Sequence, residues 1–431
     1  MKITNSNYQK SMLSNGIRVV SEKIPHVRSV SLGVWLIVGS RDENVENNGI
    51  SHYIEHMLFK GTNKRKAQEI AESLESVGGH LNAFTAKELT CYYAHILDEH
   101  LTIAIDVISD ILKNSIFDRD EMEKEKQVIV EEINNIEETP EDMVHDLFQN
   151  NLFPNHSLGL SIVGSRENVL NFKRENLLDY IDKNYTSNRI VIAAAGNVVH
   201  SQLVGLAEKK FAEFKSSAEP NYPNPTQPLK LRNIFENGGI QAHLCLGTHS
   251  YSYRNPKKFG LLVLNTLLGS GMSSRLFQNI REKYGLAYSI YSYIDFLFDT
   301  GLFGVYVGTD RNKLDSSIEL ISKELDKLRK NRVSAADLNR TKSQLKGNLM
   351  LGLESTSSRM NRLAKMEIYL QKYYTLDDTL LEIERVSSDD LLEIANELFD
   401  PNRICYTILQ PHKGKGLQEG GIYDHWNSKR N

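Results

Sequence analysis

The chain has 431 residues, a formal net charge of -4 and 25% charged side chains. That balance excludes the strongly basic surface of a nucleic-acid or anionic-membrane binder, and the length predicts two to four domains at roughly 150 residues each. No apolar run approaches the roughly 18 residues of a membrane span and no apolar h-region follows the N-terminus, so neither a span nor a secretory signal is expected.

In chain order, the alternating stretches IRVVSEKI (17–24) and SVSLGVWLIV (29–38) predict strands, and AQEIAESLESV (67–77) carries helical periodicity. LNAFT (81–85) and CYYAHIL (91–97) predict two further strands. The charged run Asp118–Asn135 predicts a long helix, with Met122, Ile129, Ile133 and Ile136 at helical spacing. Pro140 is well placed to open the next helix. KSSAEPNYPNPTQP (215–228) then gathers four of the ten prolines, which excludes a helix or a central strand. This divides the chain into 1–214, a proline-rich linker at 215–229, and 230–431. In the second half YSIYSYIDFLFDTGLFGVYVG (288–308) predicts two strands joined at Asp-Thr-Gly.

The two halves resemble each other. The segment from Ala104 is echoed from Ser317, with Met122 opposite Leu338, an offset of 216; NRIVIAAAG at Asn188 is echoed by NRICYTILQ at Asn402, an offset of 214. One displacement recurring in separate places predicts duplication of a whole domain, not a solenoid. Strands arriving as hairpins predict an α+β fold with two homologous domains, each a mostly antiparallel sheet flanked by helices. Cys91, Cys245 and Cys405 are odd in number and widely spaced, which argues against a disulfide framework and for a reducing compartment.

The chemistry concentrates at HYIEHML, residues 52–58. On a helix His56 lies about 40° from His52 and Glu55 about 60° to the other side, so all three share one face while Ile54 and Leu58 point away. Two imidazoles one turn apart can grip a divalent ion, usually zinc, and the adjacent carboxylate can act as general base on a water. This is the inverted H-x-x-E-H pattern. Among the other histidines, His95, His100, His145 and His156 match no second metal pattern. A third ligand is expected within EMEKEKQVIVEEINNIEE, where Glu125 and Glu132 stack on one helix face and Glu131 is rotated away.

HYIEHMLFKGT, GGHLNAFTAKELTCYYAH and EKEKQVIVEEI, in that order, resemble the pitrilysin/insulysin family of zinc metallopeptidases. The closest likeness is to the β subunit of mitochondrial processing peptidase and its single-chain bacterial relatives. The resemblance covers essentially the whole chain and implies two domains arranged as a clamshell. It implies that His52, His56 and Glu132 bind one Zn2+ per chain, that Glu55 is the base, and that Glu125 orients a histidine. Asn82, Ala83 and Phe84 would lie on an edge strand that pairs with an extended peptide, with Glu88 near the site. Arg281 would hold a substrate carbonyl and Tyr288 donate to the oxyanion, reaching across from the second half. Asp142 and Asp146, one helical turn apart, match acidic positions that receive a substrate arginine. The counterparts of the zinc residues in the second half, Leu268, Gly271, Met272 and Asn348, cannot replace them, so one site per chain is expected. The implied substrate is a peptide or unfolded protein, cleaved in the manner of a processing peptidase. The implied assembly is a homodimer, since no glycine-rich partner loop is found, and the implied location is the bacterial cytoplasm. The competing readings are a non-catalytic scaffold and a peptide-binding chaperone; peptide turnover separates both from an enzyme.

Overall fold

The computed structural model describes residues 7–218, 222–226 and 230–411, so the linker expected over 215–229 falls partly outside the described residues. Six strands, β1 (Tyr8–Met12), β2 (Arg18–Lys23), β3 (Ser29–Leu36), β4 (His80–Thr85), β5 (Thr90–Leu97) and β6 (Ile190–Gly196), make one sheet in the order β1-β2-β6-β3-β5-β4. Five more, β7 (Arg232–Asn237), β8 (Ala242–Ser250), β9 (Ala287–Phe296), β10 (Gly301–Thr309) and β11 (Cys405–Pro411), make a second sheet in the order β7-β11-β8-β10-β9. Apart from β1 the two orders match strand for strand. Each sheet also has its one parallel pair at the same place, β2 with β6 and β7 with β11. The same connectivity used twice is the structural counterpart of the repeat in the sequence. The fold is α+β, with two mostly antiparallel sheets.

The chain forms two compact units, each assembled from three segments. The first holds Met1–Glu132, Leu160–Pro223 and Met350–Tyr374; the second holds Ile133–Gly159, Asn224–Leu349 and Thr375–Asn431. A division at the linker would instead leave 133–159 with the first half and 350–374 with the second. Each unit therefore includes one long helix that lies on the other side of the linker in sequence. The physical reason is that the central strands are apolar on both faces, so both faces must be covered.

In the first unit helix Thr356–Leu370 packs on β6, β3 and β2. Gly33 in β3 permits the approach, since a Cβ there would stand 2.4 Å from Met360 Sδ. Ser31 Oγ bonds the hydroxyls of Thr356 and Ser357, each at 2.9 Å. The buried Glu367 carboxylate is met by Lys10 at 2.8 Å and Arg18 at 3.4 Å. In the second unit helix Pro140–Leu152 packs on β8 and β11. Strand alternation divides β8 cleanly: Ala242, Leu244 and Leu246 enter one apolar cluster, and Cys245 enters the other with Met143, Phe148 and Tyr306. Cys91, Cys245 and Cys405 are free and buried. Among the described residues no helix is long and apolar enough to cross a membrane.

Candidate metal centre

HYIEHML lies on helix Ile50–Leu58, and the chain holds that helix firmly before any metal is considered. Its N-cap, Gly49, sits at φ 97°, in the left-handed region that glycine adopts freely. The buried Glu43 carboxylate accepts from the backbone amides of Gly49 (2.8 Å) and Ser51 (2.9 Å) and from Asn48 Nδ2 (2.9 Å). Burial raises the Glu43 pKa and these hydrogen bonds oppose the rise. An acid at this end complements the helix dipole and satisfies two amides that would otherwise be orphaned. Asn48 Nδ2 also donates to Ser161 O at 2.8 Å, and the Tyr53 hydroxyl donates to Met122 O at 2.8 Å, tying the helix to helix Arg119–Glu138. Ile54 and Leu58 are buried, but so are Tyr53 and Met57. The helix is more enclosed than its pattern predicts, with only Glu55 and His56 partly open.

Helix Arg119–Glu138 brings Glu132 to the two histidines. Its Oε2 stands 3.6 Å from His52 Nε2 and 3.7 Å from His56 Nε2. Those gaps are long for hydrogen bonds. They suit two donors on one tetrahedral ion, since bonds of about 2.0–2.2 Å separate ligand atoms by about 3.3–3.6 Å. His52, His56 and Glu132 are the one such group of three among the described residues, with all donor atoms within 4.8 Å of one another. Burial, helped by the neighbouring His56, pulls the His52 pKa down to about 3. That keeps its imidazole neutral, as a ligand must be.

His56 Nδ1 lies 3.1 Å from Glu125 Oε2, and Lys60 Nζ lies 2.6 Å from Glu125 Oε1. Burial favours the neutral Glu125 acid, but the hydrogen bonds from His56 and Lys60 outweigh it and lower the pKa. A proton on Nδ1 shared with this carboxylate leaves His56 Nε2 bare and aimed at Glu132. Glu131 is exposed. The donor set of two imidazoles and one carboxylate fits zinc.

Glu55 accepts a hydrogen bond at Oε2 from Thr85 Oγ1. Thr85 ends β4, the edge strand of the first sheet, which pairs with β5 on one side only. Asn82, Ala83 and Phe84 lie on that strand. Asn82 Oδ1 accepts from the Ala83 amide at 2.8 Å, and Phe84 meets Trp35 edge-on at 5.5 Å. Glu88 is only 2% exposed, with Arg41 on one carboxylate oxygen and the Tyr369 hydroxyl on the other at 3.0 Å. Its carboxylate is an internal anchor and is not open to a peptide.

In the second unit Arg281 and Tyr288 are both exposed and stack, the guanidinium 5.8 Å from the Tyr288 ring and 4.7 Å from Phe277. Arg281 lies on a π-helical turn, Phe277–Glu282, a distortion frequent at functional positions. Pro140 opens helix Pro140–Leu152, which carries Asp142 exposed and Asp146 half-buried. Between them His145 is bonded through both ring nitrogens, to Tyr293 at 3.1 Å and Tyr291 at 3.0 Å.

Thr85, Lys60 and Glu43 escape the sequence reading. Thr85 closes the LNAFT strand and Lys60 stands four residues beyond His56, so spacing brings both into view without assigning a task. For Glu43 no local signal exists.

Residues 18–166 match the family described as insulinase (peptidase family M16), and residues 171–345 match the peptidase M16 inactive domain. The chain belongs to peptidase family M16. Among its relatives, a Bacillus subtilis protein named uncharacterized zinc protease YmxG is 44% identical over 391 residues, spanning 89% of this chain and 94% of the relative. An uncharacterized zinc protease of Streptomyces coelicolor is 38% identical, spanning 94% and 90%. The same fold occurs in the crystal structure of a protease from Helicobacter pylori, at TM-score 0.88 and 24% identity, covering 94% of this chain and 99% of that one. It occurs also in a chain of complex III2 from Candida albicans, at TM-score 0.82 and 23% identity, covering 93% and 95%. The first family match contains all three metal-cluster residues and Glu55.

Proposed function

We propose that this chain is a zinc endopeptidase of processing-peptidase type that hydrolyses extended peptides or presequence-like segments. The observation that carries the reading is the group His52, His56 and Glu132, its donor atoms all within 4.8 Å of one another, with the Glu55 carboxylate on the helix of the two histidines. The relatives named zinc proteases support the choice of metal. Zinc held by those three residues supplies Lewis acidity and activation of water.

The chain's own residues do the rest. Glu55 takes a proton from the attacking water and returns it to the leaving amine nitrogen. Glu125 holds the proton of His56 Nδ1 and keeps that ring in one orientation. Along β4, Asn82, Ala83 and Phe84 accept the peptide as an added strand, main-chain bonds giving affinity with little demand on sequence. Arg281 holds a substrate carbonyl, and Tyr288 donates to the oxyanion that forms as the carbonyl carbon becomes tetrahedral. Asp142 and Asp146 receive an arginine shortly before the cleaved bond.

The purified chain is expected to hold one zinc and to lose it on His52→Ala, His56→Ala or Glu132→Ala. Glu55→Gln keeps the zinc and loses about a hundredfold to ten-thousandfold in turnover, because an amide cannot accept the proton. Hydrolysis at the wild-type rate by Glu55→Gln overturns the mechanism. Zinc binding with no hydrolysis of any unstructured peptide overturns the enzyme reading in favour of a scaffold.

A further inference from the structure

We propose that Thr85 is the positioning residue for Glu55, so that the strand offered to the peptide also fixes the direction of the base. The inference rests on the functional reading above and concerns a residue that reading does not require.

Thr85 Oγ1 donates to Glu55 Oε2, and Glu55 Oε1 has no hydrogen-bond partner among the described residues. A carboxylate fixed at one oxygen and open at the other is poised to work through the open one. Thr85 is itself held on several sides. It pairs with Thr90 across the β4–β5 ladder. The turn that follows is closed by the Ala86 amide on Leu89 O at 2.7 Å, and is gripped from outside by the Arg41 amide on Lys87 O at 2.7 Å. Gly39 lies so close that a Cβ would stand 2.3 Å from Ala86 O. β-Branching also restricts the Thr85 side chain to few rotamers, fewer than serine would populate. The hydroxyl is therefore delivered to Glu55 by a rigid piece of backbone, and that piece is the end of the edge strand. A peptide that pairs along β4 stiffens the ladder and with it the hold on the base. A folded or mispaired segment does not, so capture and chemistry become linked through one side chain.

The test compares Thr85→Val, which keeps the shape and loses the donor, with Thr85→Ser, which keeps the donor. In the zinc-loaded enzyme Thr85→Val is expected to lower kcat by about tenfold or more with KM and zinc affinity within about twofold of wild type, and Thr85→Ser to recover most of the loss. A purely structural role would instead lower the melting temperature and zinc affinity together with kcat.

A second measurement needs no turnover. In metal-free protein, labelling of Glu55 by a water-soluble carbodiimide, mapped by mass spectrometry, is expected to be several-fold faster in Thr85→Val than in wild type or Thr85→Ser. Equal labelling in all three proteins overturns the proposal. So does a kcat in Thr85→Val within twofold of wild type. A wild-type chain that cleaves nothing while the labelling difference persists removes the peptidase reading and leaves the Thr85–Glu55 link standing.

Discussion

Lys60 never touches the three metal-cluster residues directly, yet it stands at the end of a chain of contacts that reaches one. Its ammonium meets Glu125, and Glu125 meets His56. Replacing Lys60 by methionine keeps the stem and deletes the charge, leaving a buried carboxylate with one fewer donor. Partners of this kind are worth about 10- to 100-fold in metal affinity. Lys60→Met is therefore expected to weaken zinc binding by about tenfold in a chelator competition, and unchanged affinity would show that Glu125 orients His56 unaided. The acidic pair invites a second experiment at the same scale. Peptides with arginine shortly before the cleaved bond should be cut faster than their alanine counterparts, and Asp142→Asn with Asp146→Asn should abolish the difference. Equal cleavage of both peptides by the unmutated enzyme would remove the pair from substrate recognition.

Helix Ile50–Leu58 depends on the seven residues before it. Gly49→Ala would put a Cβ 2.7 Å from Gly164 Cα and 2.9 Å from Val163 O, both backbone, at φ 97°. Strain of that kind costs about 1–3 kcal/mol, so a melting temperature lower by about 2–12 °C is expected in the metal-free protein. Glu43→Ala should do at least as much, since it leaves two buried amides without an acceptor at about 1–3 kcal/mol each. A variant melting like wild type would mean that the helix start is free to rearrange.

Part of this arrangement is legible in the sequence. Helical spacing puts His52, Glu55 and His56 on one face, the stacking of Glu125 with Glu132 excludes Glu131, and a resemblance supplies the choice between those two. Spacing could not reveal Glu43, because a cap made from outside the helix through a turn leaves no periodic trace. Nor could it reveal which sheet a helix covers. The apolar face of helix Thr356–Leu370 advertises burial without naming a partner, and the partner proves to be strands more than 150 residues earlier. The burial of Glu88 was equally invisible, since Arg41 and Tyr369 come from distant parts of the chain.

The exchange of helices between the halves governs how the whole chain can be cut. A fragment ending at Phe214 contains every proposed zinc ligand, yet it lacks helix Thr356–Leu370, and β2, β3 and β6 lose the cover that Met360 and its neighbours give. A large apolar sheet face left open favours aggregation over folding. The fragment is expected to be insoluble or molten, with little near-ultraviolet circular dichroism, and to bind zinc far more weakly than the full chain. A soluble fragment with native zinc affinity would show that the helix is dispensable cover. Time during synthesis is subject to the same constraint. The last proposed ligand, Glu132, leaves the ribosome long before Leu370, and at about 5–20 residues per second the interval is roughly ten to fifty seconds. Throughout it a nascent chain carries the proposed ligands but lacks the helix that covers β2, β3 and β6. On that reading completed metal centres belong to finished chains, and a truncated product is expected to hold zinc poorly even when it bears His52, His56 and Glu132.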